Sequence, residues 1–216
     1  MSRLTDWLLD LLYPTRCILC RRKLPPGRPV ICSRCQDTMP SAAGVRITAD
    51  YLSECVSALY YEGNVKKAIR RYKFSDAQAY APAFGELVAE RIYAEFDGKY
   101  DILSWVPLAP DRKRERGYDQ AELIAANAAA RLCRPLQPVL KKRRGVSAQS
   151  LTGDKDQRKK NIAGAYSVLD REGIAGKRIL LIDDIVTTGS TLSECGKTLL
   201  MAGAEEVMCA TLAMTR

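Results

Sequence analysis

Residues 178–191 read Arg-Ile-Leu-Leu-Ile-Asp-Asp-Ile-Val-Thr-Thr-Gly-Ser-Thr, and the order of residue types in this stretch decides the fold. The apolar run Ile179–Ile182 reads as a buried parallel strand. Asp183 and Asp184 stand at its carboxyl end, and Thr187, Thr188, Gly189, Ser190 and Thr191 follow as a small hydroxyl-bearing loop. Leu192–Ala202 then reads as a helix. In open α/β sheets, ligands bind where strands end and helices begin. A loop that gives way to a helix N-terminus offers N–H groups and a positive dipole end, which suits a phosphate. Two carboxylates suit vicinal hydroxyls, which need acceptors. Phosphate beside a diol describes a sugar phosphate. An ordinary βα turn with a Ser or Thr N-cap accounts for fragments of the string, but not for the string in its full order.

The same string resembles the 5-phosphoribosyl 1-pyrophosphate (PRPP) binding loop of the type I phosphoribosyltransferases, over the strand, both acids and Thr-Thr-Gly-Ser-Thr. The resemblance implies that Asp183 and Asp184 hold the ribose 2′- and 3′-hydroxyls at the catalytic centre. It implies that Thr187, Thr188, Gly189, Ser190 and Thr191 cradle the 5′-phosphate. A glycine at 189 fits, because a Cβ would hold the backbone away from the phosphate.

Strands and helices alternate elsewhere too. Cys55–Tyr60 reads as a strand. Gly63–Lys73 reads as a basic helix with Val65, Ala68, Ile69 and Tyr72 on one face. Phe84–Phe96 reads as a helix, Asp101–Val106 as a strand, Glu122–Leu132 as an alanine-rich helix, and Val139–Leu140 as the end of a short strand. This alternation predicts an α/β fold, a mainly parallel sheet with helices on both faces. Residues 40–50 are mostly small and read as a linker. Residues 141–161 carry eight Lys or Arg and no apolar period, so they read as a functional or disordered insert.

Cys17, Cys20, Cys32 and Cys35 form two Cys-x₂-Cys pairs separated by eleven residues. Two such knuckles set four thiolates around one tetrahedral ion, and Zn²⁺ is the usual occupant. Four thiolates close the coordination sphere, so the site is structural, and the metal supplies folding energy to a segment too short for its own core. The expected division is residues 1–40, an N-terminal helix and zinc knuckle, and residues 41–216, the phosphoribosyltransferase-like domain. Cys55, Cys133, Cys195 and Cys209 read as small core residues.

The 216-residue chain has 34 Lys or Arg against 25 Asp or Glu, a net charge of +9 that favours polyanionic partners. It has no histidine, which excludes Ser-His-Asp and Cys-His chemistry. Leu4, Trp7, Leu8, Leu11 and Leu12 recur at helical spacing, but the run is too short and acidic for a membrane span or signal peptide, so a cytoplasmic location is expected. Beyond the strand that ends at Val106, Arg112, Lys113, Arg114 and Arg116 stand where the phosphoribosyltransferase picture places a pyrophosphate. Arg suits that group because its planar fork donates paired hydrogen bonds.

Arg116-Gly-Tyr-Asp-Gln-Ala121 resembles the Arg-Gly-Phe-Asn-Gln-Ala signature of the ComF family of competence proteins. Gln149, Arg158 and Asn161 with Gly164-Ala-Tyr166, the Tyr61–Phe74 region and the four-cysteine knuckle also agree. Tyr118 and Asp119 depart from the signature, and an inward-pointing Asp119 would oppose an anion. The resemblance implies PRPP with Mg²⁺, a role in DNA uptake and natural transformation, and competence-machinery partners. Basic segments would contact single-stranded nucleic acid: Arg70, Arg71 and Lys73, residues 112–116 and 141–144, and Lys159 with Lys160. Tyr60, Tyr61, Tyr72 and Tyr118 are candidates to stack on its bases. Two alternatives stand beside this one. A metabolic phosphoribosyltransferase would join PRPP to a nitrogenous base, and a silent module would bind the sugar phosphate without turnover.

Overall fold

A computed structural model describes residues 15–25, 30–75, 77–143 and 164–216. The expected helix around Leu4–Leu12 lies outside these residues. So do the basic insert beyond Arg143, with Gln149, Arg158 and Asn161, and the charges Arg144, Lys159 and Lys160.

Chain order runs α1 (Ser33–Asp37), β1 (Glu54–Tyr60), α2 (Gly63–Phe74), a 3₁₀ turn (Gln78–Tyr80), α3 (Ala81–Phe96), β2 (Ile102–Trp105), α4 (Pro110–Arg116) and α5 (Gln120–Leu132). It continues through β3 (Leu140–Lys142), β4 (Tyr166–Val168), α6 (Arg171–Ile174), β5 (Arg178–Val186), α7 (Ser190–Met201) and β6 (Glu206–Met214). Four strands form one sheet in the order β1-β6-β5-β2, with every pairing parallel. Central strands β5 and β6 are buried on both faces, which is why they read as unbroken apolar runs.

The period-2 alternation of β5 divides the core. Leu180 and Ile182 pack in one apolar cluster with α2, α3 and α5, while Ile179 and Leu181 pack in another with Leu192, Cys195 and Leu199 of α7. The α2 face buries Val65, Ala68, Ile69 and Tyr72, the four residues its pattern selects. Helices α3 and α5 meet closely at Gly85, where an added Cβ would stand 2.4 Å from the Asn127 Cβ. Both the parallel sheet and the helices on its two faces agree with the fold class read from sequence.

Three expectations need correction. Residues 41–47 are not a bare linker. They run antiparallel along β1, through bridges Ser41↔Leu59 and Arg46↔Val56 and the bond from Ile47 N to Cys55 O at 2.9 Å. This strip satisfies the edge that β1 would otherwise expose. The short strand expected to end at Leu140 starts there and pairs antiparallel with β4, forming a hairpin on the α7 side. Cys133 is no core residue: it is exposed and ends α5 at φ 52°, a left-handed C-cap.

Candidate functional site

In the N-terminal segment the four sulfur atoms of Cys17, Cys20, Cys32 and Cys35 all lie within 4.8 Å of one another. Cys20 Sγ and Cys32 Sγ are 3.8 Å apart, and a tetrahedron with metal–sulfur bonds of about 2.3 Å has edges of about 3.8 Å. Cys32 N donates to Cys17 Sγ at 3.5 Å. Burial alone would raise the Cys17 thiol, but N–H groups of Cys32, Cys20 and Leu19 outweigh it and bring the thiol down to about 6. Thiolates are the form a metal takes. Arg71 ties this segment to the core, donating to Ile18 O at 2.6 Å, Leu19 O at 3.0 Å and the Tyr80 hydroxyl at 3.3 Å. Its guanidinium is therefore occupied as a strut, away from the nucleic-acid role read from sequence.

At the carboxyl edge of the sheet, β5 continues through both acids to Val186. Consecutive strand residues face opposite sides, so the two aspartates part company. Asp184 faces the α2 layer, where Lys73 Nζ lies 2.9 Å from Oδ1 and 2.8 Å from Oδ2. Asp183 faces the hairpin, toward Lys142, Tyr166 and Cys195. Burial and the neighbouring Asp184 push the Asp183 carboxyl up to about 8, so its proton stays on near neutrality. Lys142 lies against the Tyr166 ring at 5.0 Å. Burial lowers its pKa, and Arg112 adds to that effect. Of the basic quartet, Arg112 thus lies near enough for its charge to act on the hairpin side.

Beyond β5, residues 187–189 bend and α7 begins at Ser190. Gly189 is the N-cap at φ 73°, a conformation that disfavours any side chain, and an added Cβ would also stand 3.2 Å from the Ala49 Cβ. The N-cap glycine has no side chain to cap α7, Thr188 Oγ1 accepts only weakly from Ser190 N at 3.4 Å, and the later first-turn N–H groups face a ligand oxygen. The hydroxyls of Thr188 and Ser190 are 2.9 Å apart at the mouth of a small cleft of about 30 Å³ lined by Asp183 and residues 185–192. A larger cavity, about 540 Å³, opens between the C-terminal ends of α3 and α5, among Tyr93, Tyr100, Arg131 and Arg134. It includes none of the residues selected from sequence, so size alone does not mark the site.

The basic stretch 112–116 lies in a helix, and Pro110 at its start and Gly117 in the left-handed conformation at its end define it. Helical geometry fans its charges apart. Lys113 bonds Glu122 at 2.6 Å, Arg114 approaches Asp111 at 3.9 Å, and Arg116 donates to Gln120 Oε1 at 2.9 Å. Asp119 does point inward, but toward the backbone. It caps α5 by accepting from Ala121 N and Glu122 N, and it accepts from Leu108 N at 2.7 Å. Tyr72 and Tyr118 are buried and cannot stack on a ligand base. Lys73 and Lys142 are the residues that sequence reasoning placed elsewhere. Both sat among nucleic-acid candidates, and only the packing of α2 and the hairpin brings them to the acids.

Residues 119–216 match the family model of the phosphoribosyl transferase domain, and residues 8–45 match that of the double zinc ribbon domain. The molecule is therefore a phosphoribosyltransferase-type α/β domain preceded by a zinc-ribbon segment that holds a structural zinc site of four thiolates. More narrowly, the chain is similar over most of its length to competence and DNA utilization proteins. It is 29% identical to Competence protein F of Haemophilus influenzae over 89% of this chain and 93% of that protein. It is 28% identical to DNA utilization protein YhgH of Escherichia coli O6:H1 over 94% of this chain and 100% of the relative. Competence protein ComFC of Bacillus subtilis is also 28% identical, over 90% of this chain and 82% of its own length.

Proposed function

We propose that the chain binds PRPP with Mg²⁺ at the carboxyl edge of β5, and that it serves DNA uptake and use as its named relatives do. One observation carries the binding reading: a helix N-terminus whose N-cap is a left-handed glycine, flanked by the Thr188 and Ser190 hydroxyls, lies directly beyond two carboxylates. The first-turn N–H groups of α7 with Thr187, Thr188, Ser190 and Thr191 take the 5′-phosphate. Asp184 accepts from a ribose hydroxyl and releases Lys73, whose ammonium then faces the pyrophosphate. Arg112 and Arg116 supply further charge on the β2 side. Bound Mg²⁺ would neutralise the pyrophosphate, and cationic charge beside Asp183 would favour its ionised form.

The competence relatives and the net charge of +9 support a single-stranded nucleic acid partner. Zinc at Cys17, Cys20, Cys32 and Cys35 closes the N-terminal module, though Ile18, Leu19 and Ile31 share a core cluster with α2 and α3. None of the eight cysteines forms a disulfide, which leaves Cys17, Cys20, Cys32 and Cys35 for zinc and is in keeping with a reducing cytoplasm. Among the described residues no helix is long and apolar enough to cross a membrane. Calorimetric titration of PRPP with Mg²⁺ tests the binding reading, and a heatless titration refutes it. Affinity for a single-stranded oligonucleotide measured against salt tests the second part, and a flat response removes it.

A further inference from the structure

Helix α2 ends on Phe74, which leaves 68% of its surface exposed although its helix-mate Tyr72 is fully buried. The ring is not stray surface. The Arg116 guanidinium lies over it, 5.0 Å from the centroid, and is itself steadied by Gln120 Oε1 at 2.9 Å. The two helix ends that carry this pair are fastened together from below. Tyr118 donates its hydroxyl to Tyr72 O, Tyr72 donates to Gln120 O at 3.0 Å, and the two rings meet at a tilt with centroids 5.6 Å apart. Phe74 also follows Lys73, the residue that bonds Asp184. An exposed aromatic face, backed by a planar cation and fixed beside the acid pair, has the form of a stacking platform.

We infer that Phe74 and Arg116 form a subsite for an unpaired nucleobase on the rim of the Asp184 site. A base offers a π-face of matching size whatever its identity, and every base has one, so stacking here is tolerant of sequence. The guanidinium adds cation–π attraction and stands near any phosphate attached to the base. Two sources present this chemistry: a free base awaiting the sugar, and a base within a single strand. The subsite does not require the PRPP reading, because Phe74, whose ring carries the stack, takes no part in that reading.

The test compares wild type, Phe74→Ala and Phe74→Trp, with Asp184→Asn as reference. The probes are an oligodeoxythymidine of roughly 12 nucleotides and, separately, free adenine, guanine and uracil with PRPP present. Melting temperature is expected to stay at the wild-type value in both Phe74 variants, since the ring is mostly exposed. Loss of one base stack predicts roughly tenfold weaker binding for Phe74→Ala, with Phe74→Trp restoring it. If the loss falls on the oligonucleotide, the base comes from a strand; if it falls on one of the free bases, the base comes singly. Either loss supports the subsite. Equal binding by wild type and Phe74→Ala in both series overturns it, and so does a wild type that binds no probe. Asp184→Asn separates the two readings, because it is expected to lose PRPP and keep the Phe74-dependent oligonucleotide affinity. Failure of PRPP to bind wild type would leave the oligonucleotide comparison intact.

Discussion

The four-cysteine segment and the carboxyl edge of β5 each gather polar ligand groups from a short run of sequence, yet they are held in place by different forces. In the first, four sulfurs sit within 4.8 Å of one another on chain whose described residues include a helix of five residues. In the second, two carboxylates and a helix N-terminus are fixed by a parallel sheet buried on both sides. The metal makes the first geometry, and the fold makes the second before any ligand arrives. The difference teaches where each site is fragile: the zinc segment to loss of its ion, the sheet edge to loss of the groups that neutralise its acids.

Stripping zinc has the largest expected effect, because structural zinc contributes about 10–16 kcal/mol of apparent binding energy to folding. Chelation should expose residues 15–45 to protease. It should also lower the melting temperature of the remainder, since Ile18, Leu19 and Ile31 belong to the cluster that includes Ile69 and Phe84. An unchanged digest and melting curve after verified metal loss would show the segment folds unaided.

Within the sheet edge, the two aspartates should respond oppositely. The Asp183 carboxyl is raised to about 8 by burial and Asp184, whereas an unfolded Asp loses its proton near about 4. A proton held more tightly by the folded state stabilises it fully below about pH 4, and that contribution is lost as pH rises toward about 8. Asp183→Asn removes this decline, so the variant should gain on wild type as pH rises from about 4 to about 8. Parallel melting profiles across that window would contradict the assignment. Asp184→Asn instead leaves the Lys73 ammonium unpaired and should cost about 1–3 kcal/mol in denaturant unfolding at neutral pH. A more stable Asp184→Asn would mean the ion pair contributes nothing.

Gly189→Ala is the mildest change. A left-handed alanine costs about 1–2 kcal/mol, and its Cβ would meet Ala49 at 3.2 Å. The expected result is a small drop in melting temperature with a larger loss of PRPP affinity. Equal PRPP affinity would place the phosphate elsewhere.

How much of this was legible in the sequence follows from the range of the interactions. The α2 face and the apolar core of β5 were readable because helix and strand periodicity bury residues locally. Cys17, Cys20, Cys32 and Cys35 were readable because metal geometry constrains spacing. The edge strip at 41–47 was not, since its residues carry no strand pattern and pair only because β1 lies beside them. Asp119 looked like a hazard to an anion until its three N–H donors came into view. The opposed facing of Asp183 and Asp184 required knowing that β5 stays regular to Val186. Lys73 lies 111 residues from its partner, a contact that no local pattern announces.

Titration of PRPP and Mg²⁺ into wild type and Asp184→Asn, followed by calorimetry with folding of both confirmed, bears most directly on the central claim. Wild type should bind at one site, and the Asn variant should lose that binding while keeping its sheet. Equal affinity in the two proteins, or no heat from wild type, would contradict the claim that this strand end grips a phosphorylated ribose.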